Sequence, residues 1–276
     1  MQHAGTGLVA ETVDVVTASA RKLLEAYKTR RPIAPLTADV PDLTIEDAYR
    51  IQLAQVRQWQ ADGHRILGRK VGLTSPAMQA QMKVSQPDFG HLMDDMFFPE
   101  QVPITADRFL QPRAEPEVAF VLGRDLAGPG VTVAAAAMAV ECVLPALEII
   151  DSRIADWQIG IVDTIADNAS SGGVVLGSTA RRLGDVDLRL GGCVLHRNGE
   201  VAGTGAGGAV LGSPLNSLAW LANVLGNFGD GLHAGQVVLP GSITASIPFE
   251  PGDVITATMA GMGSVTAVIG GRTERP

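Results

Sequence analysis

The sequence is poor in several features, and each shortage narrows the class of protein it can be. Its two cysteines, Cys142 and Cys193, stand far apart with no partner at metal-ligand spacing. That excludes a disulfide framework and a zinc-binding cysteine cluster, and both read as reduced core residues. No Lys/Arg-rich run offsets the net charge of −8, so nucleic acid and anionic lipid are repelled rather than attracted. The longest apolar run, Val131 to Val140, stops at Glu141 and is too short to span a bilayer. The N-terminus carries no basic segment followed by an apolar one, so no signal peptide is expected and the cytoplasm is the expected compartment. There is no fixed-period repeat, low-complexity tract, Walker-type lysine motif, nucleophile elbow or HExxH pair.

What remains is a 276-residue chain with 46% hydrophobic and 18% charged residues, able to bury a sizeable core. Two amphipathic helices open it. The first runs about 9–30, with Val13, Val16, Ala20, Leu23 and Leu24 near helical spacing, and ends before Pro32. The second follows Thr44-x-x-Asp47, a capping signal, and ends at Gly63. From Ile66 onward, short apolar runs alternate with glycine-bearing turns. Strands are predicted at 66–73, 117–122, 141–151, 173–177, 192–197, 200–204, 236–239, 243–248, 253–259 and 264–270. Asn198-Gly199 marks a hairpin. Helices are predicted at 76–82, 132–139 and 214–227, the last entered through Ser213-Pro214. The expectation is an α+β protein: a helical N-terminal layer, 1–63, on a catalytic, β-rich core domain, 64–276, with a curved, barrel-like mixed sheet.

Chemistry concentrates in five segments. In Arg113-Ala-Glu115-Pro-Glu117, residues two apart share a strand face, so both carboxylates project together if the chain is already extended. Pro116 favours that conformation in the residue before it. Side-by-side carboxylates need a cation or proton between them; a solvated strand end near Arg113 is the bland alternative. Glu148 sits inside an apolar strand, as a third oxygen ligand or as a salt-bridge partner of Arg153. Three carboxylates without His or Cys suit Mg²⁺ or Mn²⁺. Lys70, flanked by glycines, either fixes a substrate anion or faces outward. Gln86-Pro-Asp88-Phe-Gly-His91 reads as a turn in which Asp88 is structural or catalytic and His91 structural. Asp167-Asn168-Ala-Ser170-Ser171 lines a polar pocket or satisfies its own backbone. Gly203-x-Gly205-x-x-Gly208 matches a dinucleotide-binding pattern, but the preceding strand is half of a hairpin and no helix opens within the glycines, so nicotinamide binding is not expected.

Taken in order, Gly68-Arg-Lys-Val-Gly-Leu-Thr-Ser, Gln86-Pro-Asp-Phe-Gly-His-Leu, Glu115-Pro-Glu-Val-Ala-Phe, Glu148-Ile-Ile-Asp-Ser-Arg-Ile and Asp167-Asn-Ala-Ser-Ser resemble the 2-keto-4-pentenoate hydratase family of the fumarylacetoacetate hydrolase-like superfamily. The likeness covers roughly 40–270 and departs at Pro116, where other members often carry Ala or Gly. It implies a cytoplasmic hydro-lyase adding water to 2-hydroxypenta-2,4-dienoate or a close homologue in aromatic or steroid meta-cleavage catabolism. The implied cofactor is a divalent metal, Mg²⁺ or Mn²⁺, on Glu115, Glu117 and Glu148. Lys70, Asp88 and Ser170 take the catalytic positions, and Lys70, Thr74, Asn168 and Ser170 contact substrate. The implied partners are the small 2-oxo or 2-hydroxydienoic acid, other copies of the chain in a homo-oligomer, and other meta-cleavage enzymes, with no nucleic acid and no membrane. Two alternatives carry over: a 4-oxalocrotonate-type decarboxylase, and a C–C hydrolase of an acylpyruvate. The second lacks a histidine in the matching segments.

Overall fold

The computed structural model describes residues 5–76, 79–80 and 84–272. Three helices come first: α1 (Gly5–Thr29), α2 (Leu36–Asp39) and α3 (Ile45–Ala61). Thr44 and Asp47 form the expected reciprocal cap of α3, with Asp47 N donating to Thr44 Oγ1 at 3.1 Å and Thr44 N to Asp47 Oδ2 at 3.3 Å. Ala20 and Leu23 of α1 are buried, whereas the side chain of Val13 lies outside the described residues. The helix expected at 76–82 falls partly on residues 77, 78 and 81–83, which also lie outside them.

The strands are β1 (Ile66–Gly72), β2 (Asp88–Met93), β3 (Phe97–Phe98), β4 (Pro103–Ile104), β5 (Arg113–Leu122), β6 (Val140–Ile150), β7 (Ser171–Leu176), β8 (Gly192–Arg197), β9 (Glu200–Ala206), β10 (Val237–Leu239), β11 (Ile247–Pro248), β12 (Val254–Met259) and β13 (Gly263–Ile269). A mixed sheet runs β2-β1-β10-β5-β6-β7-β3, with β11 on the edge of β5, and curves into a half-barrel. A second sheet runs β4-β13-β12-β8-β9. Between strands lie α4 (Val133–Ala139), α5 (Ile161–Ala166) and α6 (Pro214–Asn227). No helix among the described residues is long and apolar enough to cross a membrane.

The order of faces explains the site. Pairing sets Lys70 opposite Leu239 and Gly90, Glu115 opposite Glu148, and Glu148 opposite Val174. With a side-chain period of two, Asp88, Lys70, Glu115, Glu117 and Glu148 share the inner face of the half-barrel. Deeper along the same face, Leu92, Ala119, Ala146, Val174, Val237 and Leu239 form a separate buried apolar cluster, a dry floor beneath the charged groups. The opposite face carries Phe120, Leu147, Ile149 and Val238 into the main core, where helical residues such as Leu23 and Ile51 also pack. Buried glutamines on α3 fix the helices to the sheet: Gln52 Nε2 donates to Phe89 O at 2.9 Å and Ile165 O at 2.8 Å, and Gln55 Nε2 to Ala166 O at 2.7 Å.

Three local expectations are corrected. The turn read at Pro-Asp-Phe-Gly is the start of strand β2, because Phe89 stacks on Tyr49 at 4.6 Å and Gly90 lets the 168–171 segment approach. The strand read at 243–248 is mainly loop before the two-residue β11. There Ser242 Oγ donates to Thr244 O at 2.7 Å and Thr244 Oγ1 to Ala245 O at 2.9 Å, competing with ladder bonds. Ser213 precedes Pro214 at the start of α6 but makes no side-chain cap bond. The Asn198-Gly199 hairpin forms, with φ of 54° and 83° at its central residues. Gly203 and Gly205 lie in its second strand, and a side chain at Gly205 would meet Ile243 O at 2.1 Å, so close strand packing accounts for that glycine.

Candidate active site

The strand faces bring together Lys70, Asp88 and the three glutamates. Carboxylate oxygens of Glu115, Glu117 and Glu148 lie within 4.8 Å of one another. Glu148 and Glu117 are buried, and Glu115 is half-buried. Glu117 Oε2 accepts the Gly241 amide at 2.7 Å, whereas Glu117 Oε1 and both Glu148 oxygens have no hydrogen-bond partner. Orphaned buried carboxylate oxygens are expensive, and like charges this close repel. The donor set is all oxygen, which fits a hard divalent cation. The other carboxylate–imidazole group among the described residues, His64 with Asp94 and Asp95, is different. It is more exposed, and Arg65 and Arg108 already pair with its acids.

Lys70 Nζ lies 3.2 Å from Glu148 Oε1 and donates to Ala169 O at 2.9 Å. It is buried, so the outward-facing alternative is excluded. Burial alone would lower its pKa, but Glu148, then Asp88, Glu115 and Glu117, hold it above the ordinary value and keep it charged. Glu148 does not pair with Arg153; that guanidinium takes Asp167 at 2.6 Å. Burial raises the carboxyl pKa of Asp88, Glu117 and Glu148, and Lys70 opposes it in each. Burial and Glu148 push Glu115 up to about 7.

Lys70, Asp88 and Glu115 line a cavity of about 660 Å³, together with Thr74, Thr164 and Ser170, and Glu117 and Glu148 lie beside Glu115 on the same strand face. Asp88 Oδ1 is buried without a hydrogen-bond partner. A side chain at Gly72 would meet that atom at 2.2 Å, so the glycine is what makes room for the carboxylate. Thr74 packs against Gly241, whose φ of 127° and missing Cβ allow the approach. Ser170 Oγ donates to Asp167 Oδ2 at 3.4 Å.

Asn168 departs from expectation. Its Oδ1 accepts His91 N at 2.8 Å and its Nδ2 donates to His91 O at 2.9 Å. Both ends of the amide are thereby spent on β2, and Asn168 does not line the cavity. It clamps the 168–170 turn to β2. His91 faces away from the cavity, its Nδ1 3.0 Å from Gln52 Oε1, and burial holds it neutral, well below the ordinary histidine value. Asn168, Ala169 and Ser170 all have positive φ, near 50°, a conformation that costs non-glycine residues energy and concentrates at functional sites. That turn presents Ala169 O to Lys70.

Several lining residues escaped sequence reading. Arg113, at the mouth, bonds Ser246 Oγ at 2.8 Å and lies 6.0 Å over Trp157. Thr244 belongs to the segment mistaken for strand, Ser242 immediately precedes it, and Thr164 lies on the short helix α5. Only the inner-face position of Arg113, in step with Glu115 and Glu117, was available beforehand.

The fumarylacetoacetate hydrolase C-terminal family matches residues 65–270. The chain is 46% identical over 247 residues to the 2-keto-4-pentenoate hydratase of Paraburkholderia xenovorans (strain LB400), spanning 90% of this chain and 92% of that one. It is 42% identical to the 2-oxo-hept-4-ene-1,7-dioate hydratase of Escherichia coli, over 91% of this chain and 96% of the relative. The solved 4-oxalocrotonate decarboxylase from Pseudomonas putida G7, complexed with magnesium and adipate, superposes with a TM-score of 0.90. It is 39% identical and covers 92% of this chain and 97% of that one.

Proposed function

The chain belongs to the fumarylacetoacetate hydrolase C-terminal family and is a hydro-lyase of its 2-keto-4-pentenoate hydratase group, and from that premise we propose a substrate, a cofactor and roles for its residues. The substrate is 2-hydroxypenta-2,4-dienoate or a close homologue from meta-cleavage catabolism in the cytoplasm, and the product is a 4-hydroxy-2-oxo acid. The observation that carries this is the convergence of Glu115, Glu117 and Glu148, the last two with orphaned oxygens, beside a charged buried lysine and a buried aspartate, at the wall of a cavity that Glu115, Lys70 and Asp88 line.

Glu115, Glu117 and Glu148 hold a divalent cation, Mg²⁺ or Mn²⁺, which supplies Lewis-acid polarisation of a bound 2-oxo acid. Lys70 donates one N–H to Ala169 O and is ion-paired with Glu148. Its remaining donor capacity is directed at the acidic end of the substrate, where negative charge grows as an enolate forms. Asp88, whose carboxyl pKa burial raises against the opposing charge of Lys70, relays protons at Oδ1, directly or through one water. Ketonisation moves a proton from the 2-hydroxyl to carbon, leaving a conjugated 2-oxo-3-enoate. Addition then bonds water's oxygen to C4 as it loses a proton, and C3 gains one. Ser170 and Thr74 give the cavity wall hydroxyls near these groups.

The 0.90 TM-score to a decarboxylase favours a second reading, loss of CO₂ from a 2-oxo-enedioate, which needs the same enolate stabilisation without water addition. One assay separates them. Protein with Mg²⁺ or Mn²⁺ and enzymatically generated 2-hydroxypenta-2,4-dienoate is expected to consume the dienol and form the 4-hydroxy-2-oxo acid. Release of CO₂ from the enedioate, with no turnover of the dienoate, would replace hydration by decarboxylation.

A further inference from the structure

Ser217 lies on α6 and does not line the catalytic cavity. It is wholly buried, and its hydroxyl donates to Pro240 O at 2.6 Å. A helical serine ordinarily returns its hydroxyl to the carbonyl one turn back. Here the bond instead reaches the loop that follows β10.

Pro240 O and Gly241 N belong to one peptide plane. The N–H end of that plane donates to Glu117 Oε2 at 2.7 Å. A single chain of hydrogen bonds therefore runs from the Ser217 hydroxyl, through the 240–241 peptide, to a carboxylate of the acidic cluster. A donor on the carbonyl polarises the amide and strengthens the bond that its N–H makes, most of all where water is excluded. Pro240 and Gly241 are both buried.

The peptide plane needs such a hold. Its orientation is set by ψ of Pro240 and φ of Gly241, and glycine, at φ 127°, has no Cβ to oppose rotation. A stiffer residue has no room there, since a Cβ would lie 2.1 Å from Thr74 Oγ1. The next bond of the loop, Ile243 N to Pro116 O at 3.0 Å, secures the strand between Glu115 and Glu117 but does not touch the 240–241 plane. With Oε2 of Glu117 occupied by Gly241, Oε1, which has no hydrogen-bond partner, is the oxygen left for a cation.

We propose that Ser217 is a positioning residue for the metal site: acting through the 240–241 peptide, it fixes the Glu117 carboxylate with Oε1 turned to the cation. This rests on the assignment of Glu117 as a metal ligand. A group that orients a ligand in this way acts on metal affinity without touching metal or substrate.

The test is calorimetric titration of the full chain with Mn²⁺, beside thermal melting of the metal-free protein. Ser217→Ala removes the donor, and Ser217→Cys keeps the volume but supplies only a weak one. Asn223→Ala is the control, because Asn223 lies on the same helix and bonds Val131 N at 2.8 Å and Val131 O at 2.9 Å, away from the 240–241 peptide. Ser217→Ala is expected to weaken Mn²⁺ binding about tenfold, the lower end of what loss of a ligand-orienting group costs. Ser217→Cys should weaken it in the same direction. Asn223→Ala should lower the metal-free melting temperature and leave Mn²⁺ affinity unchanged. Parent-like affinity in Ser217→Ala would overturn the positioning role while the metal reading stands. Parent-like affinity in Ser217→Cys alone would assign the effect to packing, and equal weakening in Asn223→Ala would assign it to α6 as a whole; either overturns the proposal. A parent that binds no Mn²⁺ would remove the ligand assignment itself, and this inference with it.

Discussion

Lys70 and Asp88 lie on the same inner face, and the different tasks proposed for them are separated by substitution. Lys70→Met removes a charge that the surrounding acids stabilise and that the enolate needs more than the ground state does. Both substrate affinity and turnover are expected to fall. Asp88→Asn keeps the shape, so affinity should change little while hydration slows by about 10²-fold or more, within the usual range for acid–base catalysis. Following dienol decay and hydroxy-acid formation separately reads both effects; an Asp88→Asn variant hydrating at the parent rate would assign proton relay elsewhere. The pH profile adds a signed expectation. Burial raises the Asp88 pKa, so a step using it as base loses rate as pH falls through a value above the ordinary carboxylate range, and that acid limb should vanish in Asp88→Asn. For Glu148→Gln, volume is retained but the charge beside two other carboxylates is lost. Calorimetry should show Mn²⁺ affinity at least tenfold weaker with the fold intact, and unchanged affinity would make Glu148 only the partner of Lys70.

At the scale of elements, the 167–171 turn joins the helical layer to the catalytic face, and two residues hold it. Arg153, wholly buried, bonds Asp167 Oδ1 and O as well as Ser171 O. Arg153→Met strands the Asp167 carboxylate, and breaking a buried pair in this way costs about 3–5 kcal/mol, measurable as a shifted urea midpoint. A shift below about 1 kcal/mol would mean that the turn is held by its other contacts. Gly90 is the second support, since a Cβ there would come within 2.4 Å of Asn168 O. None of this was legible beforehand: a three-residue left-handed turn without glycine has no local sequence signature, and Arg153 lies beside Asp151, so its choice of Asp167 is a tertiary fact. What periodicity did reveal was considerable. The α3 cap, the 198–199 hairpin, α6 and most of the long strands follow from spacing and turn residues, as does the shared face of Glu115 and Glu117. It failed where side chains bond their own backbone, at 242–246, and where a turn-like tetrapeptide is recruited into a sheet by Tyr49 and the glycine at its end. The placement of Glu148 opposite Glu115 required the β5–β6 register, which no single segment encodes.

Across the whole molecule, the acidic cluster is expected to make stability depend on metal. The inner face sets a dry apolar floor under three carboxylates, and protein groups satisfy only one of the four oxygens of Glu117 and Glu148 by hydrogen bonding. Without a cation, mutual repulsion and lost hydration act against folding; a cation bound only by the folded chain reverses this by mass action. The gain is RT ln(1 + [L]/Kd), about 2.7 kcal/mol at a hundredfold excess over Kd. For a chain of this size that corresponds to a rise in Tm of a few degrees. Chelator-treated protein should therefore melt lower and lose hydratase activity, and Mg²⁺ or Mn²⁺ should restore both with the same concentration dependence. Glu117→Gln provides the internal control. Its amide still fills the volume and one end can still accept the Gly241 amide, but the cluster loses a charge. The apo variant should melt no lower than apo parent, because repulsion is relieved, and should gain little from metal. A variant stabilised by Mn²⁺ as much as the parent, or a parent fully active after chelation, would remove the cation from these glutamates.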